Sequence, residues 1–92
     1  MQPKNVSGKD KGKVMLYALS TCGWCRKTKE LLNQLGVGYC YLDVDLLDPQ
    51  QKNSAKDQMR DCNPSCSFPT IVVNDDICIK GFDEDRIREV LG

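Results

Sequence analysis

The sequence predicts an α/β domain of three layers, helix, sheet and helix, in which one mixed sheet of four strands carries the element order β-α-β-α-β-β-α. Three observations lead there. Short apolar runs alternate with segments whose leucines and isoleucines recur at helical spacing. A strand, helix and strand in succession imply a parallel pair joined by a right-handed crossover. A final pair of apolar runs, split by Asn74-Asp75-Asp76, implies a hairpin that adds antiparallel strands.

The elements follow in order. Residues 1–12 carry charges but no apolar stretch, and a flexible tail is expected there, with the domain over 13–92. Lys13 to Leu19 (KVMLYAL) is a short apolar run without a helical cap, hence a strand. From about Gly23 to Leu35, Leu31, Leu32 and Leu35 line one helical face while Lys27, Lys29, Glu30 and Gln34 face water. Gly36 and Gly38 stop that helix. Tyr39 to Asp45 (YCYLDVD) is aromatic and β-branched, a second strand. Asp48 and Pro49 suit the N-cap and first position of a second, mostly polar helix. That helix cannot pass Asn63-Pro64. Thr70 to Ile79 holds the hairpin. Asp83 caps the last helix, whose Ile87, Val90 and Leu91 recur at helical spacing.

Composition narrows the function. The 92 residues suit one domain, and 40% are hydrophobic, enough for a modest core. Thirteen basic and thirteen acidic residues cancel, which leaves no electrostatic footprint for nucleic acid or an anionic membrane. No apolar run approaches the roughly 20 residues that span a bilayer. The amino terminus lacks the apolar core of a secretory signal, so a cytoplasmic protein is expected. There are six cysteines and no histidine. That removes Cys-His and Ser-His hydrolytic schemes and any histidine-containing zinc site. In a reducing cytosol, a Cys-x-x-Cys pair is catalytic or metal-binding. Cys40 and Cys78 sit within apolar runs and are expected to be core residues.

Cys22 and Cys25, in STCGWCRKTKELL, stand where the first strand gives way to the first helix. Free amide N–H groups and the positive end of the helix dipole meet there. A thiolate at such a position is stabilised, and Arg26 and Lys27 are expected to add to the effect. Cys25 is three residues on, within reach of Cys22. The roles that follow are attack on a disulfide by Cys22 and resolution of the mixed disulfide by Cys25. Gly23 admits a partner's backbone, and Trp24 offers an exposed ring for docking. Two other readings are a metal or cluster site and a pair of buried core thiols.

The segments YALSTCGWCRKTKELL, FPTIVV and IKGFDED, in that order and spacing, resemble the glutaredoxins and the glutaredoxin-like hydrogen donors of ribonucleotide reductase. The resemblance runs from about Lys13 to Gly92. It implies the thioredoxin fold, a dithiol–disulfide oxidoreductase activity and a cis peptide bond at Pro69. The substrate-binding set it implies is Thr21, Trp24, Phe68, Pro69, Thr70, Gly81, Phe82 and Asp83. It also implies disulfide-containing protein substrates, ribonucleotide reductase among them, and no required cofactor. The electron donor would be glutathione, another small thiol, or a flavin- or ferredoxin-linked reductase. A monomer is expected.

The sequence departs from the common family pattern at several points. Gly23-Trp24 replaces Pro-Tyr between the cysteines, which keeps open a [2Fe–2S] or zinc module built on Cys22, with or without Cys25, Cys62 and Cys66. Ala18 to Thr21 lack a basic residue before the motif, Phe68 replaces Thr-Val before the proline, and Gly81 stands in place of a glycine pair. The glutathione-binding pattern is therefore thinned, and Gly81-Phe82 is closer to the hydrogen-donor group. Cys62 and Cys66 are an additional pair. Cys66, three residues before Pro69, is expected near Cys22, and the pair is expected as a loop-stiffening disulfide, a second redox pair, half of a four-thiolate metal site, or free thiols.

Overall fold

The computed structural model describes residues 3–92. Its strands are β1 (Lys4–Val6), β2 (Val14–Ala18), β3 (Tyr39–Asp43), β4 (Thr70–Val73) and β5 (Ile77–Lys80), and its helices are α1 (Gly23–Leu35), α2 (Pro49–Arg60) and α3 (Glu84–Leu91). The sheet order is β1-β3-β2-β4-β5. β2 and β3 pair in parallel across the α1 crossover, and every other pairing is antiparallel. This is the thioredoxin-like fold.

The sheet has five strands where sequence patterning predicts four. The extra one is β1, which lies in the segment expected to be a tail and pairs Lys4 with Tyr41 and Val6 with Tyr39. Lys9 follows it into a bridge with Val37. Three residues with a single valine carry too little period-2 signal to be read as a strand, and only the open edge of β3 gives them a place. β3 also ends two residues earlier than predicted, because Val44–Leu46 turns as a 3-10 helix that leads into α2.

The strand alternation sorts side chains to two cores. Leu16, Ala18, Ile71, Val73 and Ile79 face α1 and α3, which contribute Leu31, Leu32, Ile87 and Leu91. Tyr17, Leu42 and Val44 face α2, which contributes Ala55 and Met59. Burying a leucine or isoleucine side chain of this kind contributes roughly 1.5–3 kcal/mol. α2 offers only those two buried residues and is otherwise polar, in keeping with its composition.

The caps fall at the predicted residues. Asp48 accepts from the Gln51 N–H at 2.8 Å with Pro49 at the first helical position, and Asp83 accepts from the Arg86 N–H at 3.1 Å. Gly36 ends α1 in the left-handed region at φ 69°. Between β4 and β5, Asn74 and Asp75 take φ of 54° and 56°, a turn that matches the twist of a tight hairpin.

Candidate active site

The loop from Leu19 to Cys22 carries the chain from β2 to α1. Two groups hold it. The Cys22 N–H donates to the Leu19 carbonyl at 3.3 Å, and the Ser20 N–H and hydroxyl donate to the two oxygens of Asp45. Those bonds hold the Asp45 carboxyl below the usual carboxylate range, the Ser20 hydroxyl contributing most. Asp45 was not among the residues the sequence singled out. It lies 25 positions away from Ser20, and only the parallel pairing of β2 with β3 brings the two together.

Cys22 is the N-cap of α1. Its sulfur accepts the Cys25 N–H at 3.2 Å. It thus sits where the unpaired amides and the positive end of the helix converge. Cys22 is partly exposed and Cys25 is fully buried. The Cys25 sulfur accepts the Leu19 N–H at 3.5 Å. Burial, and then its hydrogen bond to the Cys22 sulfur, push the Cys25 thiol up to about 12. The two sulfurs are therefore unequal: one is placed to accept charge and contact a partner, the other keeps its proton.

Two lysines of α1 have aromatic and acidic partners. Lys27 lies over the Trp24 ring, 4.8 Å from its centroid. Lys29 pairs with Asp43 at 3.0 Å and covers Tyr41 at 4.2 Å.

Trp24, Phe68, Pro69, Gly81 and Phe82 line one shallow groove of about 170 Å³. Trp24, 57% exposed, stacks on Phe82 with ring centroids 5.6 Å apart. Phe68 and Phe82 pack against the same cluster as Cys22. The Phe68-Pro69 bond is cis, and the Gly81 N–H donates to the Pro69 carbonyl at 2.8 Å, joining the two walls. Gly81 has φ of 72°, a conformation that costs other residues roughly 1–2 kcal/mol. The remaining expected substrate residues stand outside the groove. Thr21 is exposed beside Cys22, Thr70 is buried and donates to the Ser67 carbonyl, and Asp83 caps α3.

The loop before Pro69 is organised by Asn63, which is buried at 1% exposure. Its Nδ2 donates to the Ser67 hydroxyl at 2.8 Å and to the Thr70 hydroxyl at 2.9 Å, while its Oδ1 accepts from the Ser65 hydroxyl at 2.7 Å. From the sequence, Asn63 reads only as the point, with Pro64, that the second helix cannot pass. Its burial depends on the walls that α2 and β4 supply.

The cysteines outside the motif depart from expectation. Cys62 is bonded to Cys78, not paired with Cys66. Cys78 is therefore not a core thiol, and Cys40 is half-buried with its sulfur 2.7 Å from the Asn5 side-chain oxygen. Cys66 packs on the α2 side, its sulfur 3.8 Å from the Lys56 carbonyl, whereas Cys22 packs on the α1 side. Cys22, Cys25, Cys62 and Cys66 thus form no four-thiolate set. Among the described residues no group of three or more Cys, Asp or Glu side chains is arranged to hold a metal ion. Nor is any helix long and apolar enough to cross a membrane.

A thioredoxin-like sheet with a Cys-x-x-Cys at the start of α1 and a cis-proline wall beside it defines a thiol–disulfide protein. The glutaredoxin family model matches residues 14–78. The chain is 50% identical to the glutaredoxin of Methanosarcina mazei, with a TM-score of 0.92, over 100% of this chain and 89% of that one. It is 51% identical to Methanosarcina acetivorans methanoredoxin, also with a TM-score of 0.92, over 100% of this chain and 96% of that one. Rat glutaredoxin-1 is 32% identical over 71 residues, 76% of this chain and 65% of that one. The chain belongs to the glutaredoxin family, and with it to the thiol–disulfide oxidoreductases.

Proposed function

We propose that the chain is a dithiol electron carrier that reduces disulfides of proteins or small molecules. The inequality of the two sulfurs supports this reading most directly: Cys22 is accessible at the helix N-cap, and Cys25 is buried, protonated and hydrogen-bonded to it.

The Cys22 thiolate attacks one sulfur of a target disulfide. A mixed disulfide forms, and the other target sulfur leaves as a thiolate that takes up a proton. Charge is then gone from the Cys22 sulfur, so the hydrogen bond that helped hold the proton on Cys25 is lost. Cys25 gives up its proton and attacks the Cys22 sulfur. The Cys22–Cys25 disulfide forms, the target leaves with its second thiol, and two electrons have moved. The groove beside Cys22 supplies an apolar platform for the segment around the target disulfide, with Trp24 and Phe82 as its aromatic face. A small thiol such as glutathione, or a flavin- or ferredoxin-linked reductase, would return the electrons; ribonucleotide reductase is one candidate acceptor. Nothing in the motif or the groove calls for a resident cofactor.

Cys22→Ser is expected to abolish disulfide reduction, and Cys25→Ser to accumulate a mixed disulfide that non-reducing electrophoresis and mass spectrometry detect. Full activity in Cys22→Ser would overturn the assignment. A brown, iron-containing dimer on anaerobic purification would overturn the carrier role in favour of cluster binding.

A further inference from the structure

The bond between Cys62 and Cys78 joins two parts of the chain that meet again at the groove. Cys62 follows α2, its N–H donating to the Met59 carbonyl at 3.1 Å, and Cys78 stands on β5 opposite Val72. Six residues beyond Cys62 is Phe68, and three beyond Cys78 is Gly81, one from each wall of the groove. Neither cysteine belongs to the two core clusters. Both are half-buried, and both border an open cavity of about 450 Å³ that Lys13, Gln58, Asp61 and Asp75 also line. β5 is an edge strand, and among the described residues no further strand covers Cys78. Disulfides that solvent and thiols reach are the labile ones, whereas those sealed in a core resist reduction.

We propose that Cys62–Cys78 is a second redox couple of this chain: a dithiol entering the cavity reduces it by two electrons with the fold intact, and its state sets how firmly the Phe68-Pro69 wall is held. A thiolate of the reductant attacks one of the two sulfurs and displaces the other cysteine as a thiolate, which takes a proton. The second thiol of the reductant then attacks the mixed disulfide. It leaves as its own cyclic disulfide, and Cys62 and Cys78 remain as two thiols. In the reduced chain the segment 62–69 keeps the Asn63 contacts and the Cys66 N–H bond to the Asn63 carbonyl, but loses its covalent tie to β5. The link from this couple to substrate handling rests on the function proposed above; the couple itself does not.

The test uses the full chain carrying Cys22→Ser and Cys25→Ser, which removes the first couple. It is equilibrated anaerobically against reduced and oxidised dithiothreitol, alkylated and mapped by mass spectrometry. Alkylation of Cys62 and Cys78 is expected to appear together and reversibly, over a constant background at the free thiols Cys40 and Cys66, with the far-UV circular dichroism unchanged. Hydrogen exchange is expected to speed up in segment 62–69 alone. Labelling of the pair only in denaturant, or failure of the bond to re-form on oxidation, would overturn the couple; unchanged exchange in 62–69 would overturn its effect on the loop. In a chain with Cys22 and Cys25 intact, Cys62→Ser with Cys78→Ser is expected to lower kcat/KM at least twofold while Cys22 alkylates at the wild-type rate. If Cys22 carries no activity in the wild-type chain, the proposed function fails and the dithiothreitol titration still decides the second couple.

Discussion

Asn63→Ala is expected to destabilise the protein by about 2–3 kcal/mol. Asn63 makes three good hydrogen bonds through a side chain that solvent does not reach. A net hydrogen bond contributes about 1 kcal/mol. Ser65 and Ser67 are exposed, so water replaces Asn63 at their hydroxyls and those two bonds count for less. The Thr70 hydroxyl is buried and water does not replace its donor, so that bond counts in full. The emptied side-chain volume adds a cavity cost of up to roughly 1 kcal/mol. For a domain of this size, 1 kcal/mol moves Tm by about 4–8 °C, so a fall of roughly 10–20 °C is expected. Urea unfolding should show a lower midpoint at an unchanged slope, since the folded core is the same. A double-mutant cycle with Thr70→Val should return a coupling near 1 kcal/mol. A loss below about 0.5 kcal/mol, the level of an ordinary surface substitution, would refute the reasoning and assign the loop's order to α2 and the disulfide instead.

Trp24→Ala is expected to leave urea stability nearly unchanged, because the ring is mostly exposed, and to lower kcat/KM for a protein disulfide about tenfold, as loss of an aromatic anchor does; stopped-flow turnover checks both halves. Because the Cys25 thiol is pushed up to about 12, iodoacetamide at pH 8 should modify Cys22 and spare Cys25, as peptide mapping will show. The sign for stability follows from the same shift: the folded state favours the protonated thiol, so Cys25 stabilises fully below its unfolded value of about 8.5 and loses that advantage as pH rises toward 12. Cys78→Ala opens a loop with a sequence separation of 16 and should reduce stability by about 3 kcal/mol in a chain otherwise oxidised at this pair, read from urea midpoints with and without the substitution.

Local signals carried most of the fold. Helical spacing of Leu31, Leu32, Ile87 and Leu91, the caps at Asp48 and Asp83, and the glycine stop at Gly36 are properties of neighbouring residues, and they place α1, α2 and α3. The same holds for the motif: Cys22 becomes an N-cap because a strand ends before it and a helix starts after it. Long-range partners are a different matter. β1 exists because β3 has a free edge, and its own three residues hold no pattern strong enough to announce it. Asp45 reaches Ser20, and Asn63 reaches Thr70, only once strands and helix are stacked.

The six cysteines divide along that line. The spacing of Cys22 and Cys25 by itself put both sulfurs at one helix start, because an i, i+3 relation is fixed by helix geometry. The pairing of the other four was undetermined in the sequence. Cys62 and Cys66 are close along the chain, yet the bond goes to Cys78, whose Cα lies 5.6 Å from that of Cys62. α2 delivers Cys62 to the sheet edge where β5 presents Cys78, and Cys66 packs against the core under α2, its sulfur 3.8 Å from the Lys56 carbonyl. Disulfide partners are set by Cα separation and side-chain direction, which sequence distance does not report.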